Sequence, residues 1–186
     1  MTTFTIHTTT QAPAQSLPLL TEVQSKYSFV PNLFGALAEA PAALKAYIDL
    51  GSALENSSLN AAEQQVVLIA TSVENGCEYC VAAHSLVAKH MVKVDTAVVD
   101  ALRNKTVIAD ARLQALAEFT RAVVATRGEV GSKEMESFLA AGYDRQQVLE
   151  VILGVAMKTL SNYANNLMHT PLDAPFQPET WSGINA

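Results

Sequence analysis

Apolar residues recur at steps of three and four along most of the chain, the spacing of one helix face, and no stretch alternates with the period of two that a strand requires. The pattern predicts an all-α protein. Leu17 to Tyr27 reads as a short helix. Pro31-Asn32 opens a second through Leu33, Phe34, Leu37 and Ala38, with Pro31 suited to a first turn. Pro41 starts a third, which carries Leu44, Tyr47, Ile48, Leu50 and Leu54 with polar residues between them. Asn60-Ala61-Ala62-Glu63 has the form of a capping box. Behind it Val66, Val67, Ile69, Ala70 and Val73 are apolar around most of the circumference, which predicts a helix central to the core.

The next helix begins near Cys77 and runs to about Met91. Asp95 and Asp110 stand as caps for helices over 97–102 and 113–126, and Gly128 ends the second of these. Ser132 opens a short helix up to Gly142. Asp144 with Gln147 again resembles a capping box, and the long helix it starts carries Val148, Val151, Ile152, Val155 and Leu160 towards Leu167, where Pro171 stops it. Residues 1–14 are rich in Thr and Gln without periodicity, and predict an extended arm ordered by a neighbouring subunit. Residues 15–175 form a single helical domain in this reading. Residues 176–186, with Pro178 and Gly183, form an irregular tail.

Composition narrows the classes of partner. The chain has 186 residues, 49% of them hydrophobic, which suits a compact protein or one with extensive subunit contacts. Twelve basic against eighteen acidic residues give a formal charge of −6, and no stretch clusters Lys or Arg, so nucleic acid and anionic membranes are excluded as partners. The first residues lack the basic start and long apolar stretch of a secretory signal, and no later stretch reaches the length of a membrane span, which predicts a cytoplasmic protein. A chain this apolar, built from several short helices, also predicts a homo-oligomer.

The candidate chemistry lies in Glu74-Asn75-Gly76-Cys77-Glu78-Tyr79-Cys80-Val81-Ala82-Ala83-His84, which holds both cysteines and one of the four histidines. Gly76 ends one apolar helical run and Val81, Leu86 and Val87 resume it, so the thiols sit at a helix start, where free N–H groups and the dipole favour a thiolate. Cys77, Cys80 and His84 share one face, and the imidazole is within reach of the second thiol. Cysteines three positions apart close too small a loop to staple the fold, which points to redox chemistry. Two other readings exist: a buried structural pair, or a metal site of Cys77, Cys80 and His84 that lacks a fourth ligand. In CxxC pairs at helix starts the first sulfur is often the more exposed and more acidic, whereas His84 is spaced to serve Cys80, so the residues alone leave the order of the two thiols open. Glu74 and Glu78, if close, would raise a thiol pKa. His7, His90 and His169 gain no role from spacing. Asn162, Tyr163 and Asn165 either line a pocket beside the thiols or face a subunit or water.

The stretch from Asn60 to His84 resembles the core of the alkylhydroperoxidase AhpD-like branch of the carboxymuconolactone decarboxylase family. Phe29-Val30-Pro31-Asn32-Leu33-Phe34, Ser161-Asn162-Tyr163-Ala164-Asn165 and Thr170-Pro171-Leu172-Asp173 resemble flanking segments of its peroxidase-related members, so the similarity spans roughly residues 28 to 175. The resemblance implies an oligomeric AhpD-like helical bundle, a trimer or hexamer, that needs no cofactor. It implies a thiol peroxidase acting on hydrogen peroxide or organic hydroperoxides. Cys80 would be the peroxidatic thiol, Cys77 would resolve the sulfenic acid to a disulfide, His84 would relay protons, and Tyr79, Asn162 and Tyr163 would line the pocket. A dithiol donor, thioredoxin-like or lipoylated, would recycle the pair. The family's relay glutamate falls at Gln65, which cannot exchange a proton, and Glu63 matches a second acidic position. On this reading Gln65→Glu should raise turnover by about tenfold or more. Where relatives carry a histidine before the second cysteine, this chain has Tyr79. A lyase like the lactone decarboxylases and a non-catalytic redox sensor are the alternative functions.

Overall fold

The computed structural model describes residues 4–183. Among them the regular structure is entirely helical: α1 (Leu17–Tyr27), α2 (Asn32–Leu37), α3 (Pro41–Glu55), α4 (Ala61–Glu74), α5 (Glu78–Leu86), α6 (Thr96–Asn104), α7 (Ala111–Thr126), α8 (Ser132–Ala140) and α9 (Arg145–Met168). The caps read from the sequence are made. Asn60 with Glu63 and Asp144 with Gln147 form reciprocal capping boxes, and Asp95 and Asp110 accept from the first turns of α6 and α7.

Helix α4 is the hub, packed against α7, α9, α5 and α6. Its residues from Val66 to Val73 are all buried, because neighbours cover every face. The approach of α9 to α4 depends on Gly154, since a Cβ there would lie 2.6 Å from Val67 Cγ1. Two apolar clusters result. One joins α4, α6, α7 and α9 and includes the stacked rings of Phe119, Phe138 and Tyr143. The other joins α1, α2, α3 and α5 around Leu20, Leu44 and Tyr47, and takes in Cys77 and Cys80.

Three segments differ from the sequence expectation. The helix read as continuous to Met91 stops being α at Leu86 and widens into a π turn over Val87–Val92, closed by Lys93 in the left-handed region at φ 65°. The wider turn carries Lys89 to Glu179, 3.0 Å away. The arm needs no other subunit to find a partner. His7 N–H donates to Gly35 O at 3.0 Å and the His7 ring pairs with Glu39. Gly35 makes this approach possible, because a Cβ there would meet His7 O at 2.7 Å. The segment after Leu172 contains a 3₁₀ turn over Ala174–Glu179 despite its prolines. It is held because Phe176 and Trp181 are buried, and because Arg103 donates to the carbonyls of Glu179 and Thr180 and to Ser85 Oγ. Residues 1–3 and 184–186 lie outside the described residues, so the outer ends of the predicted arm and tail do as well.

Candidate functional site

The turn between α4 and α5 places the thiols. Gly76 takes φ 61°, open to glycine without strain, and Cys77 N–H then donates to Ser72 O at 2.9 Å. Cys77 occupies the N-cap of α5 and Cys80 its first turn, as the sequence predicted. Helix α9 stitches the turn from outside. Asn75 donates to Asn162 Oδ1 at 3.0 Å, Asn162 donates to Ser72 Oγ at 3.3 Å, and Asn166 donates to Asn75 O at 3.0 Å. Asn162 is thus fully buried and occupied by this stitching.

Both cysteines are unpaired and buried, at 0% and 1% exposure for Cys77 and Cys80. Each perturbs the ionisation of the other, and their environments drive them apart. Cys80 is buried, which opposes its charge, but it receives the Cys77 S–H, faces the Lys158 ammonium and is approached by Ser161 and Asn165. Together these hold its thiol well below the ordinary range. Asn165 Nδ2 lies 3.2 Å and Ser161 Oγ 3.8 Å from the Cys80 sulfur. Cys77 is pushed up, first because its thiol donates to Cys80 and then by burial beside that charge. The geometry therefore favours a Cys77 thiol donating to a Cys80 thiolate, the reverse of the order drawn from CxxC pairs at helix starts. The reason is tertiary: the cation stands beside the second sulfur.

Lys158 is 0% exposed. Burial alone would strip its proton, but Cys80, and then Tyr47 and Cys77, act the other way and raise its pKa. Its Nζ lies 3.0 Å from His84 Nε2, and His84 Nδ1 lies 3.1 Å from Gln65 Oε1. An ammonium only donates, so Nε2 accepts, Nδ1 carries the hydrogen, and Gln65 Oε1 receives it. His84 keeps part of its surface in solvent while both ring nitrogens are engaged inside. Burial and then the Lys158 charge hold its pKa well below the usual imidazole value, so the ring is neutral. The expected contact of His84 with Cys80 is not among the hydrogen bonds of either residue. The ring turns toward α4 and α9 and meets Lys158 and Gln65, and it is the charge of Lys158 that acts on Cys80.

The relay position is occupied by Gln65. Glu63 faces away, its carboxylate taken by Arg112 Nε at 3.1 Å and by the Asn60 N–H at 2.9 Å. Tyr79 is buried and donates to Asp173, whose carboxylate also accepts from the Asn32 N–H at 3.1 Å. Burial and then Asp173 push the phenol up, so it stays protonated. Tyr163 is 62% exposed on the outer face of α9, apart from the thiols. A polar surface depression of about 440 Å³, lined by Gly76, Glu78, Tyr79, Asn165, Asn166, His169 and Thr170, lies over the start of α5. Asn165 belongs both to it and to the sulfur's surroundings. Among the described residues no three His, Cys, Asp or Glu side chains converge as metal ligands.

Lys158, Ser161 and Asp173 were not recognised as site residues in the sequence. A signal existed for the first. Lys158 interrupts the apolar run Val155-Ala156-Met157, and it shares a helical face with Ser161, Asn162 and Asn165.

Residues 41–122 match the sequence model of the carboxymuconolactone decarboxylase family. The match includes Gln65, Cys77, Cys80 and His84 and ends before Lys158. No curated protein sequence matches the chain. Among solved structures, the fold is similar to the alkylhydroperoxidase AhpD core of an uncharacterized peroxidase-related protein from Ralstonia eutropha JMP134, with TM-score 0.81 and 26% identity over 93% of each chain. It is also similar to an uncharacterized peroxidase-related protein from Silicibacter sp. TM1040, with TM-score 0.76 and 19% identity over 88% of this chain and 87% of that one. The debrominase Bmp8 shares the fold too, with TM-score 0.74 and 18% identity over 89% of this chain and 90% of its own. Residues 41–122 are thus similar to the carboxymuconolactone decarboxylase family, within an all-helical fold similar to that of the AhpD core structure.

Proposed function

We propose that this protein is a thiol-dependent peroxidase in which Cys80 is the attacking sulfur and Cys77 the resolving one. The observation that carries this is the Cys80 sulfur held between a fully buried Lys158, the Cys77 thiol and the Asn165 amide. A buried thiol with such donors is a thiolate near neutral pH, and the thiolate is the reacting form. The sulfur attacks the distal oxygen of a hydroperoxide, the O–O bond breaks, and a sulfenic acid forms on Cys80. The neighbouring Cys77 sulfur then displaces the oxygen as water and closes the Cys77–Cys80 disulfide. A dithiol of the thioredoxin or lipoyl class reopens it. Hydrogen peroxide or a small organic hydroperoxide approaches through the depression over α5, past Asn165.

Second copies of the chain complete the reading. Leu149, Ile152, Tyr163 and Leu167 repeat along one side of α9 and are all exposed, a face suited to covering by another subunit in a trimer or hexamer. Cytoplasmic reducing conditions suit a thiol pair that must be returned to the dithiol form.

Mass spectrometry after one equivalent of peroxide tests the chemistry. The wild type should lose two hydrogens between Cys77 and Cys80, and Cys77→Ser should yield a trappable sulfenic acid on Cys80. Unmodified thiols in both would refute the peroxidase reading.

A further inference from the structure

Resting on the peroxidase reading, we infer that Lys158 is a proton donor gated by the redox state of the cysteines: its ammonium proton goes to the oxygen leaving the peroxide, and the lysine stays neutral while Cys77 and Cys80 are a disulfide. The surroundings of Lys158 carry the argument. It is 0% exposed, and among the described residues no carboxylate pairs with it. The titratable groups that face it are Cys80, Cys77 and His84 from α5 and Tyr47 from α3, with Tyr27 at the end of α1 a weaker neighbour. Helix α4 presents the uncharged Gln65 to His84, and Glu63 on the same helix is turned to Arg112. The phenols are neutral, since burial pushes Tyr47 and Tyr27 up, and so is His84. Among the described residues the one anion beside the ammonium is therefore the Cys80 thiolate.

Oxidation removes that anion. A lysine buried without a counter-charge sheds its proton, to a pKa as low as about 5 to 6 in documented cases. The catalytic step needs that proton. Cys80 S⁻ forms a bond to the distal peroxide oxygen, the O–O bond breaks, and the departing alkoxide takes the proton from Lys158 Nζ as an alcohol. Neutral Lys158 next accepts the Cys77 proton as that sulfur attacks Cys80. It passes the proton to the hydroxide leaving the sulfenic sulfur, which departs as water. Thiolate, thiol, ammonium and hydroperoxide become disulfide, amine, alcohol and water, with no proton drawn from solvent and no change in charge. The dithiol reductant returns two electrons and two protons, one to Cys77 and one to Lys158. His84 Nε2 accepts from Nζ and the residue keeps part of its surface in solvent, so it is the path by which the amine equilibrates with water.

The test is the pH dependence of the half-cell potential of the Cys77–Cys80 pair in the full chain, obtained by equilibration with dithiothreitol-type buffers of fixed ratio and corrected for the protons the buffer dithiol itself takes up, from about pH 6.5 to 8, between the usual imidazole and thiol values. The ultraviolet absorbance of the thiolate is followed in the reduced protein in parallel. A thiolate present in the reduced form leaves two protons to lose, from Cys77 and Lys158. The half-reaction oxidation constant should then change hundredfold per pH unit, about 59 mV at about 29.6 mV per tenfold for two electrons, while the raw exchange constant against dithiothreitol, which takes up as many protons as the protein releases, stays flat. A thiolate with only a tenfold change would mean that the lysine keeps its proton, and overturns the inference whatever the peroxide reactivity. Absence of the thiolate overturns it as well. Gln65→Glu supplies a carboxylate behind His84, so the oxidised site regains a counter-charge and the dependence should fall toward tenfold. An unchanged hundredfold dependence in that variant overturns the argument that the oxidised lysine loses its proton for want of a counter-charge. Peroxide reactivity, scored separately by mass spectrometry, decides the peroxidase reading on its own.

Discussion

Lys158→Met removes the charge from the site while keeping an unbranched side chain of similar length, so it isolates what the ammonium does for Cys80. Two unit charges about 4 Å apart interact by roughly 4 kcal/mol at an effective dielectric of about 20. At about 1.36 kcal/mol per pH unit, the Cys80 thiol should titrate about three pH units higher in the variant. Lys158 is fully buried, so solvent screening does not discount the figure. The Cys77, Ser161 and Asn165 contacts remain and keep part of the depression. The fold should survive, because the thiol becomes neutral and no buried ion is left unpaired. Thiolate absorbance against pH measures the shift, and the second-order rate with hydrogen peroxide near neutral pH should fall by about 10²- to 10³-fold with the thiolate fraction. A folded variant whose Cys80 titration stays at the wild-type pH would refute the pairing of Lys158 with Cys80.

Asn165→Ala removes an N–H donor from the sulfur, and at about 1.5–3 kcal/mol for a hydrogen bond to a charged group the Cys80 titration should rise by about one to two pH units. The same absorbance measurement reads it. The low pKa of His84 makes the folded state resist a proton that the unfolded chain binds near pH 6.5, so the unfolded chain holds more protons below that pH. Stability should therefore fall as pH drops from about 6.5 toward the folded pKa, and urea unfolding of wild type against His84→Asn should show a shallower loss in the variant. Gly154→Ala would force Cβ to within 2.6 Å of Val67 Cγ1, and the overpacking between α4 and α9 should cost about 1–3 kcal/mol in urea denaturation, partly offset by better helix propensity. A stable monomer by light scattering at micromolar concentration would rule out the proposed oligomer.

The helices were legible because their signals are local. Asn60 with Glu63, Asp95, Asp110 and Asp144 with Gln147 satisfy N–H groups within their own first turns, and Pro41 and Pro171 act on adjacent residues, so short stretches of sequence contain the cause. The placement of both thiols at the start of α5 was legible for the same reason, through Gly76 and the resumption of apolar spacing. The π turn after Leu86 was not, because nothing in Val87–Val92 distinguishes it from an α-helical run, and its Lys89 finds Glu179 some ninety positions later. The tail was read as irregular from its prolines, yet burial of Phe176 and Trp181 and the grip of Arg103 outweigh those local preferences.

By itself the sequence determined which α-helices exist, where they begin, and that Cys77, Cys80 and His84 lie within about two helical turns. These follow from backbone geometry and hydrogen bonds between near neighbours. Only the tertiary structure decided what the cysteines are: which one carries the charge, and what holds it there. That depends on Lys158, seventy-eight positions beyond Cys80, entering a space bounded by α3, α4 and α5. Electrostatic interaction depends on distance and on exclusion of water, and neither is encoded in spacing along one helix. The same holds for Gln65. As a letter in the sequence it is a missing acid, and against His84 it is the acceptor that takes the Nδ1 hydrogen of a ring kept neutral by burial and by the buried ammonium.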